Sequence, residues 1–368
     1  MAGANRAAVG PFTAEALGRY LEAVHGGSVS EVRVSALAGG AQGDKGYGYG
    51  VPLRVDYSLD GAPRTVVLET VRPGPFGHEH MADRAQLLLW AHHAFARLPR
   101  HVASLDVGAI LGDGALQPLG GAQEFFTVTE FAAGREYAAD LLRLRQGAAL
   151  EDGDLARADA LCDYLVAIHA VHGTDPGLYV RRMRELVGHG ECIFGITDSY
   201  PLRSGFITPE LLEDVERRCL EWRWRLKRRS HRLRQVHGDF HPWNILFREG
   251  TDFSVLDRSR GEWGEPADDV ACLTLNYLFF SLQRSGRLEG PFETLFRRFW
   301  ERYLERTGDR ELLEVIAPFF AFRALVVASP VWYPNLTESV RRRVFEFLLV
   351  VLREERFDPA RVNSYCGL

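Results

Sequence analysis

The sequence predicts an α+β chain in two parts: a small antiparallel sheet with one helix laid on it, then a larger, mostly helical remainder. Three observations predict it. Between residues 31 and 71 the apolar residues are rich in β-branched types and fall into short runs, with Asp60-Gly61 as a hairpin turn between two of them. At residues 78–98, and again beyond Gly134, the apolar spacing becomes that of amphipathic helices. The 368 residues also exceed what one core ordinarily organises, because single cores stop growing near about 250 to 300 residues.

In chain order, Leu17, Tyr20, Leu21 and Val24 stand at helical spacing behind Thr13, which predicts a short opening helix over Phe12 to Val24 with Thr13 as its cap. Val32 to Leu37, Val51 to Leu59 and Thr65 to Val71 read as three antiparallel strands. His78 to Leu98 follows as a helix, with Met81, Ala85, Leu88 and Leu89 among its buried positions and Pro99 ending it. Two further strands, near Ser104 to Leu111 and Glu124 to Phe131, complete the first part. The second part opens on a helix over Asp154 to His169, whose Leu155, Ala158, Leu161, Leu165 and Ile168 share a face. Thr208 and Pro209 then form an N-cap and first-turn pair ahead of Leu211, Val215, Cys219, Trp222 and Leu226. The expected domains are residues 1–131 and 132–368.

Composition narrows the function classes. A formal charge of -5 with 25% charged and 46% hydrophobic residues is ordinary for a globular protein and lacks the basic footprint of a nucleic-acid binder. Five scattered cysteines without a C-x-x-C pair argue against a disulfide framework or a zinc site and suit a reducing cytoplasm. No stretch reads as an export signal or a membrane span. Only Lys45 and Lys227 among the 44 basic residues are lysines. Residues 181–234 hold 13 basic and 8 acidic side chains, which a solvated helix face explains more simply than an anionic ligand.

The segment Val236-His237-Gly238-Asp239-Phe240-His241-Pro242-Trp243-Asn244-Ile245-Leu246-Phe247, followed by a turn and Phe253-Ser254-Val255-Leu256-Asp257, carries the chemistry. Asn244 opens an apolar strand, Glu249 to Asp252 is turn chemistry, and the return strand brings Asp257 back beside Asn244. Gly238 and Pro242 tighten the preceding loop so that Asp239 can reach the same place. Two carboxylates and an amide so gathered are the hard oxygen donors that Mg²⁺ prefers, with water and nucleotide phosphates completing its shell. Phosphoryl transfer uses such a cluster, and one carboxylate, here Asp239, orients or accepts the proton of the acceptor hydroxyl.

H-G-D-x-x-x-x-N with an aspartate thirteen residues beyond its asparagine resembles the catalytic and metal-binding loops of the aminoglycoside phosphotransferase and choline kinase-like family, a branch of the protein-kinase fold. The resemblance implies a bilobal kinase-like fold that uses ATP and Mg²⁺ to phosphorylate a hydroxyl of a small molecule. It makes Asp239 the catalytic base, Asn244 a metal ligand and Asp257 the principal one. Gly264-Glu265-Pro266-Ala267-Asp268-Asp269-Val270-Ala271 resembles the family's G-D-P-x-x-D-L-A segment, which makes Asp269 the brace of the catalytic loop. His237 and His169 are then structural histidines. Phe125 to Gly134 resembles the linker strand that holds the adenine edge, at Thr129 and Phe131. The acidic set Glu262, Glu265, Asp268 and Asp269 reads as loop bracing and surface, with attraction of a cationic acceptor as the alternative.

Two departures stand out. Gly39 to Gly50, with Lys45, Gly46 and Gly48 as phosphate contacts, occupies the place of the phosphate-covering loop but lacks the G-x-G-x-x-G form, and a surface hairpin explains the glycines equally well. Glu69 stands where the family has a lysine or arginine. Either Glu69 pairs with Arg84 in an ion pair of inverted sign while Lys45 or Arg72 serves the phosphates, or Glu69 is a solvated or offset residue. These departures support a second reading, a nucleotide-binding pseudokinase that senses or scaffolds. A protein-modifying kinase fits less well, because the stretch from Asp257 to Gly264 is short for an activation segment.

Overall fold

The computed structural model describes residues 10–37, 50, 52–95, 97–202 and 205–368. The chain divides into two compact units, residues 1–129 and 130–368.

In the first unit, Thr13 caps helix α1 (Ala14–His25) by accepting a hydrogen bond from the Ala16 N–H at 3.1 Å, the device its sequence predicts. Strands β1 (Val29–Ala36), β2 (Leu53–Leu59) and β3 (Ala62–Leu68) pair antiparallel in that order. Leu59 faces Ala62 across a two-residue turn in which Asp60 (φ 49°) and Gly61 (φ 83°) are both left-handed, the conformation that matches the twist of the flanking strands. Leu17 and Leu21 of α1 bury themselves with Val55 and Tyr57 of β2 to form this unit's small core. Gly61→Ala puts a Cβ on a left-handed residue and is expected to lower stability by about 1 kcal/mol or more, read as a lower urea midpoint at unchanged m-value.

Helix α2 (Met81–Phe95) forms, but none of its side chains is buried; Met81 is 75% exposed and Ala85 is also exposed, with Leu88 and Leu89 half-buried. The burial expected of these four is corrected: the helix's apolar residues run round it, broken by Asp83, Arg84, Gln86, His92 and His93, and leave no continuous stripe. The hairpin β4 (Gly108–Ile110) and β5 (Leu116–Pro118) follows. No strand forms over residues 124–131. Its Phe-Phe-Thr-Val-Thr run has β propensity, yet a strand exists only where a neighbour completes its ladder, and none of the described strands does so there.

The second unit begins with β6 (Arg135–Glu136) and helices α3 (Tyr137–Arg145), α4 (Asp152–His169), α5 (Pro176–Gly188), α6 (Ile193–Asp198) and α7 (Pro209–Leu226). Thr208 caps α7 through its Oγ1 at 3.3 Å from the Leu211 N–H, with Pro209 in the first turn. Then come β7 (Arg234–Gln235), β8 (Ile245–Phe247), β9 (Phe253–Val255) and β10 (Trp263–Gly264), paired β6-β8-β9 and β7-β10. Helices α8 (Pro266–Ser285), α9 (Gly290–Thr307), α10 (Leu312–Val315), α11 (Ala317–Ala328), α12 (Glu338–Val351) and α13 (Val362–Tyr365) complete it. Helix α8 is buried on every face from Pro266 to Leu282, because α3, α9 and α11 surround it. One apolar core, crowded with Phe279, Phe280, Phe292, Phe296, Phe299 and Trp300, runs through the unit.

Candidate active site

The loop from His237 to Asn244 joins β7 to β8 and is held from below by the first turn of α8. Both oxygens of Asp269 accept backbone hydrogen bonds, from the His237 N–H at 2.8 Å and the Gly238 N–H at 2.7 Å. Asp269 in turn meets His169 Nε2 at 3.1 Å, and His169 Nδ1 meets the Tyr303 hydroxyl at 2.7 Å. Both His169 and Asp269 are buried. This is the brace predicted for Asp269 and the structural part predicted for His169. His237 Nδ1 accepts from the Asp239 N–H at 3.2 Å, so this ring shapes the loop. Gly238 has φ 85°, a left-handed turn that lets the chain double back.

The hairpin of β8 and β9 pairs Ile245 with Val255 and carries its turn on Gly250 (φ 60°). Asn244 closes the 3-10 turn Pro242–Asn244 just before β8 rather than opening the strand itself. Its carbonyl accepts from the Leu256 N–H at 2.8 Å, and its side-chain Nδ2 donates to the Asp239 carbonyl at 3.1 Å. The segment carrying Asp239, the side chain of Asn244 and the residue preceding Asp257 are thereby tied together. The Asn244 bond turns Nδ2 toward the loop, and Oδ1 accepts no hydrogen bond among the described residues. Asp257 is exposed, with no ion pair or hydrogen bond to its carboxylate among the described residues, and has φ 54°. A non-glycine residue in that region costs free energy and is enriched at functional sites. One amide oxygen and one carboxylate, both uncommitted, are the donor types a hard divalent cation takes.

Asp239 is buried, and its Oδ1 accepts from the Arg323 guanidinium. Oδ2 lies 3.7 Å from His241 Nε2 and 3.8 Å from the Arg260 guanidinium, beyond hydrogen-bond reach of both. Burial alone would raise its pKa, but the charges of Arg323, Arg260 and His241 more than offset that and hold the carboxyl below the usual range. Sequence reasoning missed Arg323. The signal was present: it is the only charged residue in the apolar run Ala317 to Ala328, and a buried arginine demands carboxylate partners.

Three of the four acidic residues are consumed internally, while Glu262 is exposed and accepts from the Trp263 Nε1–H at 2.9 Å. Glu265 accepts from Arg232 (2.6 to 3.1 Å) and from the Tyr179 hydroxyl at 2.8 Å. Asp268 bridges Arg182 (2.6 Å) and Arg323 (2.7 Å), and with Asp269 all three are fully buried. They brace the loop, as the first of the two readings held, and face no solvent from which to attract a cationic acceptor. Burial raises the Asp268 pKa, yet Arg323 and Arg182 outweigh it and the carboxyl is depressed. A depressed folded pKa contributes stability that is complete above the unfolded value, about 3.9, and is lost as pH falls through the folded one. The urea midpoint is therefore expected to hold level from neutral pH to about pH 5 and fall below about pH 4. A smaller fall in Asp268→Asn would trace part of it to this carboxylate.

Other predicted positions fare differently. Lys45, Gly46 and Gly48 lie outside the described residues. Thr129 and Phe131 are exposed, Phe131 to 94%, in irregular chain rather than in the expected strand. Glu69 follows the end of β3, exposed to solvent, while Arg84 donates to the carbonyls of His78 (2.9 Å) and Glu79 (3.2 Å). The inverted pair is not formed among the described residues; the solvated alternative holds for Glu69.

A sheet-and-helix first unit followed by a helical second one with a braced H-G-D loop is a mixed α+β, kinase-like fold. The chain belongs to the phosphotransferase enzyme family, whose family model matches residues 56–314; these enzymes are small-molecule kinases acting on hydroxyl groups. Among solved structures it is similar to an amicoumacin kinase in complex with AMP-PNP, Ca²⁺ and Ami, at 15% identity over 89% of this chain and 91% of that one, with a TM-score of 0.41. It is similar as well to a Plasmodium vivax ethanolamine kinase (12% identity, 91% and 80% covered, TM-score 0.33). A thermostable mutant of an aminoglycoside phosphotransferase in its apo form is a third (16%, 95% and 97%, 0.33). No curated protein matches the chain. No described helix is long and apolar enough to cross a membrane.

Proposed function

We propose that this protein transfers the γ-phosphoryl group of ATP, with Mg²⁺, to a hydroxyl of a small molecule. Asn244 and Asp257 would hold the metal, which when bound neutralises phosphate charge and orients the transferred group. Asp239 presents Oδ2 to the acceptor hydroxyl, orienting it and taking its proton as the new bond forms. Residues 1–131 serve as the nucleotide-covering lobe and 132–368 as the lobe of the catalytic loop and acceptor. Lys45, Gly46 and Gly48 are assigned to nucleotide phosphates and Thr129 and Phe131 to the adenine edge, on resemblance alone. The five cysteines, all free and buried, suit a cytoplasmic location.

The observation that carries the reading is the Asn244 junction: its side-chain Nδ2 is fixed to the Asp239 carbonyl and its backbone carbonyl to the Leu256 N–H, while the side-chain oxygens of Asn244 and Asp257 accept no hydrogen bond among the described residues. Mg-ATP is expected to raise the melting temperature of the wild type, and Asp257→Asn to remove most of that rise while leaving the apo melting temperature nearly unchanged. A screen of aminoglycosides, amino alcohols, sugars and nucleosides should then find ATP-dependent turnover with at least one. The solvated Glu69, where the family has a cation, favours a second reading, a nucleotide-binding pseudokinase. A Mg-ATP shift without turnover on any acceptor or on water would support that one.

A further inference from the structure

Arg323 is more than a neutraliser of buried acids. It is the single charged side chain of helix α11, it is buried, and it lies beyond residues 56–314, the segment that matches the family. Its two terminal nitrogens divide their work. One donates to Asp239 Oδ1; the other donates to the Gly238 carbonyl at 2.7 Å and to Asp268 Oδ1 at 2.7 Å. Asp268 is held from its far side by Arg182 of α5 at 2.6 Å, which fixes where the guanidinium can sit. One planar fork therefore grips the loop backbone at Gly238 and the side chain of the next residue at once.

The consequence concerns which oxygen of Asp239 is available. Oδ1 is occupied by Arg323, while Oδ2 accepts no hydrogen bond among the described residues, its neighbours Arg260 and His241 standing at 3.8 and 3.7 Å. Resting on the phosphotransferase reading, we propose that Arg323 is a positioning residue that locks Asp239 in the single rotamer presenting Oδ2 to the acceptor. The clamp comes from helix α11, beyond residues 56–314. A lysine could keep the charge but could not bridge a carbonyl and two carboxylates in one plane. Misplacing a reacting group by about 1 Å costs roughly 10²-fold in rate.

Hydrolysis of Mg-ATP, with water standing in for the acceptor, is a suitable readout. Arg323→Lys, shown by near-UV circular dichroism and urea unfolding to be folded, is expected to lower kcat by roughly 10²-fold and to leave the KM for ATP little changed. Arg323→Ala should recover part of its kcat when methylguanidine is added, which a purely structural loss would not do. In the Asp239→Asn background, Arg323→Lys should cost almost nothing further, because the two residues act as one unit. A folded Arg323→Lys with wild-type kcat overturns the proposal. So does a kcat loss of the same size with and without Asp239. If Arg323→Lys does not fold, the methylguanidine rescue of Arg323→Ala decides, and no rescue counts against the proposal. Turnover that is indifferent to Asp239→Asn would instead sink the phosphotransferase assignment of that residue.

Discussion

Asp239→Asn is expected to lower ATP-dependent phosphoryl transfer by about 10²- to 10⁴-fold while Mg-ATP still raises the melting temperature. The asparagine preserves shape, and its backbone still receives Asn244 Nδ2 and donates to His237 Nδ1. The charge that, on the proposed function, draws the acceptor hydroxyl's proton is gone. Because Arg323 and Arg260 hold the carboxyl below the usual range, the wild-type group is ionised throughout the neutral range and is a weak base. On the proposed function its contribution would therefore be weighted toward orienting the hydroxyl, with the proton leaving late in the transfer. Steady-state kinetics on any acceptor found by the screen checks this. Wild-type kcat in the variant would remove Asp239 from the mechanism, and a lost Mg-ATP shift would mean that the substitution had damaged nucleotide binding instead.

The largest effect on stability is expected from Asp268→Ala. Asp268 is fully buried between Arg182 and Arg323, at 2.6 and 2.7 Å. Removing it strands two buried guanidiniums: Arg182 keeps only Glu185, 4.0 Å away, as a carboxylate neighbour among the described residues, and Arg323 keeps Asp239. Breaking a buried ion pair by deleting one partner costs about 3 to 5 kcal/mol, and each kcal/mol lowers the melting temperature by roughly 2 to 4 °C in a domain of about 150 to 250 residues. Urea unfolding of Asp268→Ala beside Asp268→Asn measures it, and a change below about 1 kcal/mol would put this cluster in the class of exposed pairs. The same bridge explains why α11 tolerates an arginine at all. Its guanidinium meets two carboxylates and a carbonyl, so the core closes around paired rather than stranded charge.

What the sequence determined by itself was whatever local chemistry suffices to specify. Thr13 and Thr208 cap their helices, Asp60-Gly61 turns its hairpin, and the period of Leu155 to Ile168 yields α4, because caps, turns and amphipathic faces are short-range properties. The H-G-D loop, its hairpin and the Asp269 brace were legible for the same reason, each partner being reached through a fixed number of residues. Tertiary structure decided the rest. The run 124–131 has the composition of a strand but no partner to complete its ladder, Glu69 and Arg84 found water and carbonyls instead of each other, and the helix at 81–95 has no face it can bury. Above all, Arg323 stands 84 residues from Asp239 along the chain. Only the packing of α11 against α8 brings them together, because burying a charge is tolerable only where the fold delivers a counter-charge.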